Sequence, residues 1–177
     1  FEKFFGYSVS IDPLIYKGQC VRKSNWNGLH VGTILECPIA IPEGDFVYEK
    51  LINNEAGNGF VEDIRVPIFK NIIPFVYIKQ RTLDDRLVDR KHTAKKVILS
   101  EASAYLYKDE INKIFQFCEF LGLDYGEIDV LRNKDDGKIY IVDVNNNPAG
   151  PPEPITPVDQ SYAIIRLAKA FEDAFAY

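Results

Sequence analysis

Apolar residues gather in short runs through the first half of the chain and change their period in the second half. Five runs, at 19–23, 30–36, 45–52, 61–69 and 72–79, are rich in Val, Ile, Phe and Tyr, with Asn-, Gly- and Pro-rich breaks between them. Each predicts a β-strand. Ile111, Ile114, Phe115, Cys118 and Leu121 then recur at three- and four-residue steps, which predicts a helix over 108–121 stopped by Gly122. Two β-rich runs, 126–132 and 138–145, flank the polar, glycine-containing turn 133–137 and predict a hairpin. Residues 146–152 (Asn-Asn-Pro-Ala-Gly-Pro-Pro) predict a rigid loop. A last helix is expected from Asp159 or Ser161 to Phe175, with Ile164, Leu167, Ala168 and Phe171 inward. Strands, helix, hairpin and helix in that order predict an α+β fold.

The hairpin carries chemistry. If Asp129 lies opposite Asp143, period-two alternation sets Leu131 opposite Ile141 and Glu127 opposite Asn145. Directly opposed side chains have Cβ atoms about 4.5–5.5 Å apart, and two carboxylates that close repel unless one is protonated or a cation joins them. Asp129, Asp143 and Asn145 form an all-oxygen set that suits a hard cation such as Mg²⁺ better than zinc, with Glu127 as a neighbour that orients them. On the same reading the stripe runs from aliphatic (Leu131, Ile139, Ile141) to acidic, as expected of a sheet entering a cleft.

Composition narrows the classes. The 177 residues are 46% hydrophobic and 27% charged, ordinary for a globular chain of one sizeable core, in one or two lobes. A net charge of −5 argues against a nucleic-acid partner, and no apolar run reaches the ~18–20 residues of a membrane helix. No signal peptide is visible. Three scattered cysteines (Cys20, Cys37, Cys118) fit neither a disulfide framework nor zinc spacing, so a reducing, cytoplasmic setting is expected. The chain has no methionine and opens on Phe1, so upstream residues are expected, unless modified methionines are missing from the sequence.

Other candidates are single residues. Lys23 ends the run 19–23 ahead of a loop holding Gly28 and Gly32, where an ammonium and backbone N–H groups can meet phosphates. Without a Walker motif, a solvated lysine on a hairpin is the simpler reading of Lys23 taken alone. Glu62-Asp63-Ile64-Arg65-Val66 alternates charge with aliphatics, so Arg65 faces either a cleft or solvent. Arg81, Arg86, Arg90, Lys91, His92, Lys95 and Lys96 crowd 81–96, expected to be a long basic loop whose Arg81 and Arg86 can clamp an anionic substrate. His30 and His92 are isolated and support no nucleophilic triad.

Taken in order, these segments resemble the ATP-grasp superfamily, in its glutathione-synthetase-like and glutamate-ligase-like branches. Lys23 stands at a strand end before a glycine-containing loop. Tyr48-Glu49-Lys50-Leu51-Ile52 resembles the strand that lies along adenine, and Asp63-Ile64-Arg65 the Asp-Ile-Arg strand. The most specific match is Gly126-Glu127-Ile128-Asp129-Val130 with Ile141-Val142-Asp143-Val144-Asn145 and Pro148, which resembles the acidic hairpin ending in Glu-x-Asn-x-x-Pro-Gly. Asp143 departs from the usual Glu and reaches one methylene less far.

The resemblance implies two α+β subdomains with mainly antiparallel sheets around an ATP cleft, a smaller one at 1–44 and a larger one at 45–177. It implies Mg²⁺ held by Asp129, Asp143 and Asn145. It implies ATP contacts from Lys23, Glu49, Lys50, Leu51 and Lys79, with the backbone of Lys50 and Leu51 against adenine. It implies Arg65, Arg81 or Arg86 at the transferring phosphoryl group or acceptor. The implied activity is a carboxylate–amine or carboxylate–thiol ligase working through an acyl phosphate, on small-molecule or peptide substrates. The alternatives are a small-molecule kinase on the same scaffold and a non-catalytic nucleotide-binding module. An upstream domain that helps to bind the acceptor is usual in this superfamily and is expected before Phe1.

Overall fold

A computed structural model describes residues 1–26, 32–87 and 94–176. Two antiparallel sheets carry the fold. Strands β1 (Gly18–Ser24), β2 (Gly32–Cys37) and β3 (Phe46–Lys50) make a three-stranded sheet in the order β2-β1-β3. The larger sheet runs β7-β6-β5-β8-β9, from β5 (Phe60–Phe69), β6 (Val76–Thr82), β7 (Lys96–Ser100), β8 (Tyr125–Arg132) and β9 (Ile139–Asn145). The short β4 (Glu55–Gly57) pairs with β5 beside them. The expected strands are present with ends moved by a few residues, the largest shift being 72–79 to Val76–Thr82. Strand β3, grouped above with the larger subdomain, pairs with β1 in the smaller sheet.

The even-numbered positions of β5, β6 and β8 build the main core of the large sheet. Ile64, Val66 and Ile68 of β5, Val76 and Ile78 of β6, and Ile128 and Val130 of β8 lie on one face. Helix α2 (Lys108–Leu121) covers that face with Ile114, Phe117 and Cys118. Phe5, on the one-turn helix α1 (Glu2–Phe5), joins the same core. Gly122, at φ 70°, stops α2 as expected. The 133–137 turn also forms as expected, with the Asn133 N–H on the Lys138 carbonyl at 2.9 Å.

The last helix, α3 (Pro157–Phe175), begins earlier than expected. Pro157 fills its first position and the Thr156 hydroxyl caps the Asp159 N–H at 3.1 Å. Its buried face is also rotated from the expected one. Ala163 and Ala170 are buried, whereas Ile164 and Phe171 are each 52% exposed. Small residues let the helix sit close to the sheet, so the larger ones fall at its flank.

The odd-numbered face of the large sheet divides in two. At one end Phe75 and Tyr77 pack with Ala94, Val97 and Ala163 under α3. At the other end the face opens toward the small sheet. Gly126 of β8 is pinned against β9. A Cβ there would lie 2.5 Å from the Asn145 carbonyl oxygen and 2.8 Å from Leu123 Cδ1. Gly126→Ala is therefore expected to push the strands apart and cost about 1–3 kcal/mol. Chemical denaturation checks this, and the backbone amide resonance of Asn145 should move with it.

Candidate functional site

A cleft of about 720 Å³ lies between the two sheets. Its small-sheet wall carries Lys23 of β1 and Glu49 of β3, with Lys50, Leu51 and Ile52 continuing toward the large sheet. The floor comes from the odd face of the large sheet: Asp63, Arg81, Asp129, Asp143 and Asn145. Nine of the eleven candidate residues line it: Lys23, Glu49, Lys50, Leu51, Arg81, Arg86, Asp129, Asp143 and Asn145. Arg65 and Lys79 share the floor's strands but are not among the lining residues. Gly28, His30, Arg90, Lys91 and His92 lie outside the described residues.

The hairpin register explains the floor. Asp129 opposes Asp143 and Glu127 opposes Asn145, as the alternation predicts. Leu131, however, opposes Tyr140 rather than Ile141, because a bulge leaves Val142 unmatched between the pairs Asp129–Asp143 and Val130–Ile141. One extra residue inverts the phase of a strand. Ile139 and Ile141 therefore point into the core with Val130, while Asp143 and Asn145 point into the cleft with Asp129. The uniform stripe of the sequence reading is thus two stripes on opposite faces. The bulge also frees the Val142 carbonyl to accept from Lys23 Nζ at 3.4 Å, joining the two lobes.

Charges on the floor are closely paired. Arg65 donates through Nε and Nη2 to the two Asp129 oxygens, each at 2.8 Å. Burial pushes the Asp129 carboxyl up, but these bonds and the charges of Arg65, Lys79 and Arg81 outweigh it and hold the group at about 2. Asp143 joins no ion pair among the described residues, and burial together with the Asp129 charge pushes its carboxyl up. A pair with one carboxylate bridged and the other raised by its neighbour would gain from a cation between them. Asn145 offers Oδ1, which also accepts the Asn147 N–H at 2.9 Å. No cluster of three His, Cys, Asp or Glu exists among the described residues, so two carboxylates and an amide are the set available. Hard oxygen donors of that kind fit Mg²⁺ with water or phosphate completing the shell.

The other candidates are held differently from expectation. Lys23 Nζ meets Glu49 Oε2 at 2.5 Å, so these two offset each other across the small sheet. Lys50 sends its ammonium to the Tyr140 hydroxyl, 4.0 Å from Asp136. The N–H of Lys50 is bonded to the Val9 carbonyl at 3.0 Å and that of Leu51 to the Gln19 carbonyl at 3.2 Å. A ligand lying along this segment would thus meet side chains and carbonyls, not those donors. Arg86 fastens the segment by donating to the Ile52 carbonyl at 3.1 Å and Asn54 Oδ1 at 2.9 Å. Asn54 in turn donates to Asp63 Oδ1 at 3.0 Å, and Asp63 accepts from the buried Arg81.

Asn54 and Asp63 were not among the sequence candidates. Asp63 was legible, since alternation puts it on the same face as Arg65. Asn54 carried no signal beyond its turn-like neighbourhood.

Glu127 is 4% exposed, and its carboxyl is raised by burial to about 7, against the pull of Arg65. A carboxyl raised in the folded state stabilises fully below its unfolded value, and that contribution is lost as pH rises through the folded one. Between pH 4.5 and 7 the loss is about 3 kcal/mol. Glu127→Gln is expected to flatten this part of the stability–pH curve, gaining most above pH 7. Denaturant unfolding at pH 5 and pH 8 measures the difference.

No protein-family model and no curated protein matches the chain by sequence. Solved structures do match by fold. The ATP-grasp ligase PsnB, solved with a phosphomimetic variant of its minimal precursor, Mg and ADP, aligns at a TM-score of 0.54 and 14% identity, over 86% of this chain and 47% of that one. A RiPP-associated ATP-grasp ligase of Chryseobacterium gregarium, in complex with ADP and a leader and core peptide, aligns at 0.54 and 13% identity, over 97% and 55%. The chain spans about half the length of these structures. It has an ATP-grasp-like α+β fold.

Proposed function

We propose that this chain, with its ATP-grasp-like fold, is the Mg-ATP-binding part of an ATP-dependent carboxylate–amine ligase. The observation that carries the reading is the cleft itself. Opposed Asp129 and Asp143 with Asn145 form an oxygen-rich floor, and Lys23 stands on the facing wall within reach of the same strand. A cation and a cationic side chain on either side of one cavity suit a polyphosphate.

In this reading Asp129, Asp143 and Asn145 would hold Mg²⁺, which would supply positive charge to offset that of the phosphates. Lys23 exchanges Glu49 for a phosphate oxygen. Arg81, fixed by Asp63, presents positive charge toward the transferring phosphoryl group. Arg65 acts through Asp129, which it orients by two bonds. Arg86 holds the Ile52 segment, so we assign it a positioning role rather than a clamp. Lys79, 5% exposed and opposite Asp63, adds positive charge beside the floor. The substrate carboxylate attacks the γ-phosphorus and ADP leaves. The amine then forms the C–N bond as the carbon–oxygen bond to phosphate breaks, releasing phosphate and one proton.

The precursor peptides bound by PsnB and by the Chryseobacterium enzyme support a peptide as the carboxylate or amine substrate. No helix among the described residues is long and apolar enough to cross a membrane.

The test is product analysis of the protein with ATP, Mg²⁺, a candidate carboxylate and hydroxylamine. A ligase yields ADP, phosphate and a hydroxamate together. A stable phosphorylated product without free phosphate would instead identify a kinase. Thermal stabilisation by Mg-ATP without turnover on any acceptor would identify a binding module.

A further inference from the structure

Cys20 and Cys37, which look scattered in the sequence, meet in the small sheet. Cys20 lies in β1 and Cys37 ends β2. Strand alternation puts Cys20 on the face opposite Val21 and Lys23, which line the cleft. In the register of the pair, Cys20 stands across from Leu35 and Cys37 across from Gly18, so the cysteines are diagonal neighbours on one face. Gly18 presents no side chain across from Cys37, so the Cys37 thiol has room to lean toward Cys20. Its Sγ donates to Cys20 Sγ at 2.9 Å. A disulfide needs about 2.05 Å, so the sulfurs have less than about 1 Å left to close.

Their surroundings suit a cross-link. Cys20, Cys37 and Tyr48 are the buried residues of the small sheet's core, with Ile11, Tyr16 and Leu35 packed against them. That cluster is small beside the core under α2, and among the described strands β2 is held in its sheet by β1 alone. Where little apolar area is buried, covalent links commonly supply what packing does not. Burial first, then the neighbouring Cys37 thiol and the charge of Glu36, push the Cys20 thiol up to about 12. A buried, protonated thiol is a poor catalytic nucleophile, so the pair holds structure rather than reacting with substrate.

We propose that Cys20 and Cys37 are a modification site, joined by a reversible cross-strand disulfide that fastens the edge strand β2 to β1. The oxidant is a small disulfide of the glutathione class. The Cys37 sulfur, nearer the surface, attacks one sulfur of the oxidant and expels the first glutathione. The Cys20 sulfur then attacks Cys37 Sγ and expels the second. Two protein thiols and one oxidant disulfide thus become one protein disulfide and two glutathione thiols, which carry away both protons. Exchange is slow because thiolate is scarce in so buried a place, and the finished bond is shielded from reductants by the same burial. The bond constrains the unfolded chain between its two ends and leaves the cleft face of β1 untouched. The proposal therefore stands apart from the ligase reading.

The experiment holds the full chain in glutathione buffers from fully reduced to fully oxidised, at mildly alkaline pH and for long incubations. Free thiols are then blocked, and intact mass, peptide mapping and thermal unfolding are read on the same samples. The oxidised protein should be lighter by two hydrogens, with one linked peptide pair joining Cys20 to Cys37 and Cys118 still open to blocking. Its thermal midpoint should rise by roughly 5–10 °C and return on reduction. Cys37→Ala should abolish the link and the shift, and Cys118→Ala should keep both. Mapping of the wild type decides the matter even where a variant folds poorly. Two thiols still open to blocking in the most oxidised buffer overturn the proposal. So does a glutathione adduct on Cys20 or Cys37 without the link, a link through Cys118, or a Cys20–Cys37 link that lowers the midpoint.

Discussion

Asp143→Asn is expected to lower ATP affinity in Mg²⁺ by about a hundredfold or more while leaving the fold intact. The substitution keeps the side chain's shape and removes one of the two charges that a hard cation needs. It costs little structure, because Asp143 joins no ion pair among the described residues and its carboxyl is already pushed up by burial and by Asp129. The thermal midpoint without nucleotide should stay level or rise slightly as that repulsion is removed. Asp129→Asn should behave differently although it strikes the same proposed ligand set. It takes one charged oxygen from the bidentate bridge and leaves the Arg65 guanidinium poorly matched in a buried place. Equilibrium titration of ATP with and without Mg²⁺, beside thermal unfolding, reads both effects. Unchanged affinity of the Asp143→Asn protein in Mg²⁺ would remove Asp143 from the metal assignment.

The largest effect on stability is expected at Asp63. This carboxylate is the partner of Arg81, which is 5% exposed, and Asn54 braces it at 3.0 Å. Asp63→Leu takes a carboxylate from a buried guanidinium and is expected to cost about 3–5 kcal/mol. For a chain of this size that is roughly 8–15 °C of thermal midpoint. Replacing both partners, Asp63→Leu with Arg81→Leu, should recover most of the loss, since an apolar pair carries no desolvation penalty. If Arg81 serves phosphoryl transfer, the double variant should still fail to turn over. Urea denaturation of the two single variants and the double one forms a complete cycle. A double variant less stable than either single one would contradict the pairing.

Much of this arrangement was legible in the sequence. Strand content and breaks located β1, β3, β5 and β8, and the three- and four-residue steps located α2 at Lys108–Leu121. Alternation correctly paired Asp129 with Asp143 and Glu127 with Asn145, because those residues lie on one side of the bulge. It failed on the other side, where the unmatched Val142 inverts the phase. The apolar-to-polar change from Ile139 and Ile141 to Asp143 and Asn145, all odd positions, was the mark of that inversion. It reads equally as a stripe entering a cleft, and only pairing separates the two.

The face of α3 was misjudged for a related reason. The largest apolar residues suggested the inward side, whereas close packing on the sheet selected Ala163 and Ala170 and left Ile164 and Phe171 exposed. Individual polar partners were the least legible. That Lys23 would face Glu49, that Arg86 would hold Ile52 and Asn54, and that Arg65 would grip Asp129 all follow from tertiary approach between strands 26 to 64 residues apart in sequence.

We propose that the cleft between the two sheets binds ATP through a divalent cation held by Asp129, Asp143 and Asn145. Isothermal titration of ATP into the protein, once in Mg²⁺ and once in excess chelator, tests it most directly. Saturable one-to-one binding is expected in Mg²⁺, lost or weakened at least tenfold without the cation. Equal affinity in both conditions, or no binding in either, would contradict it.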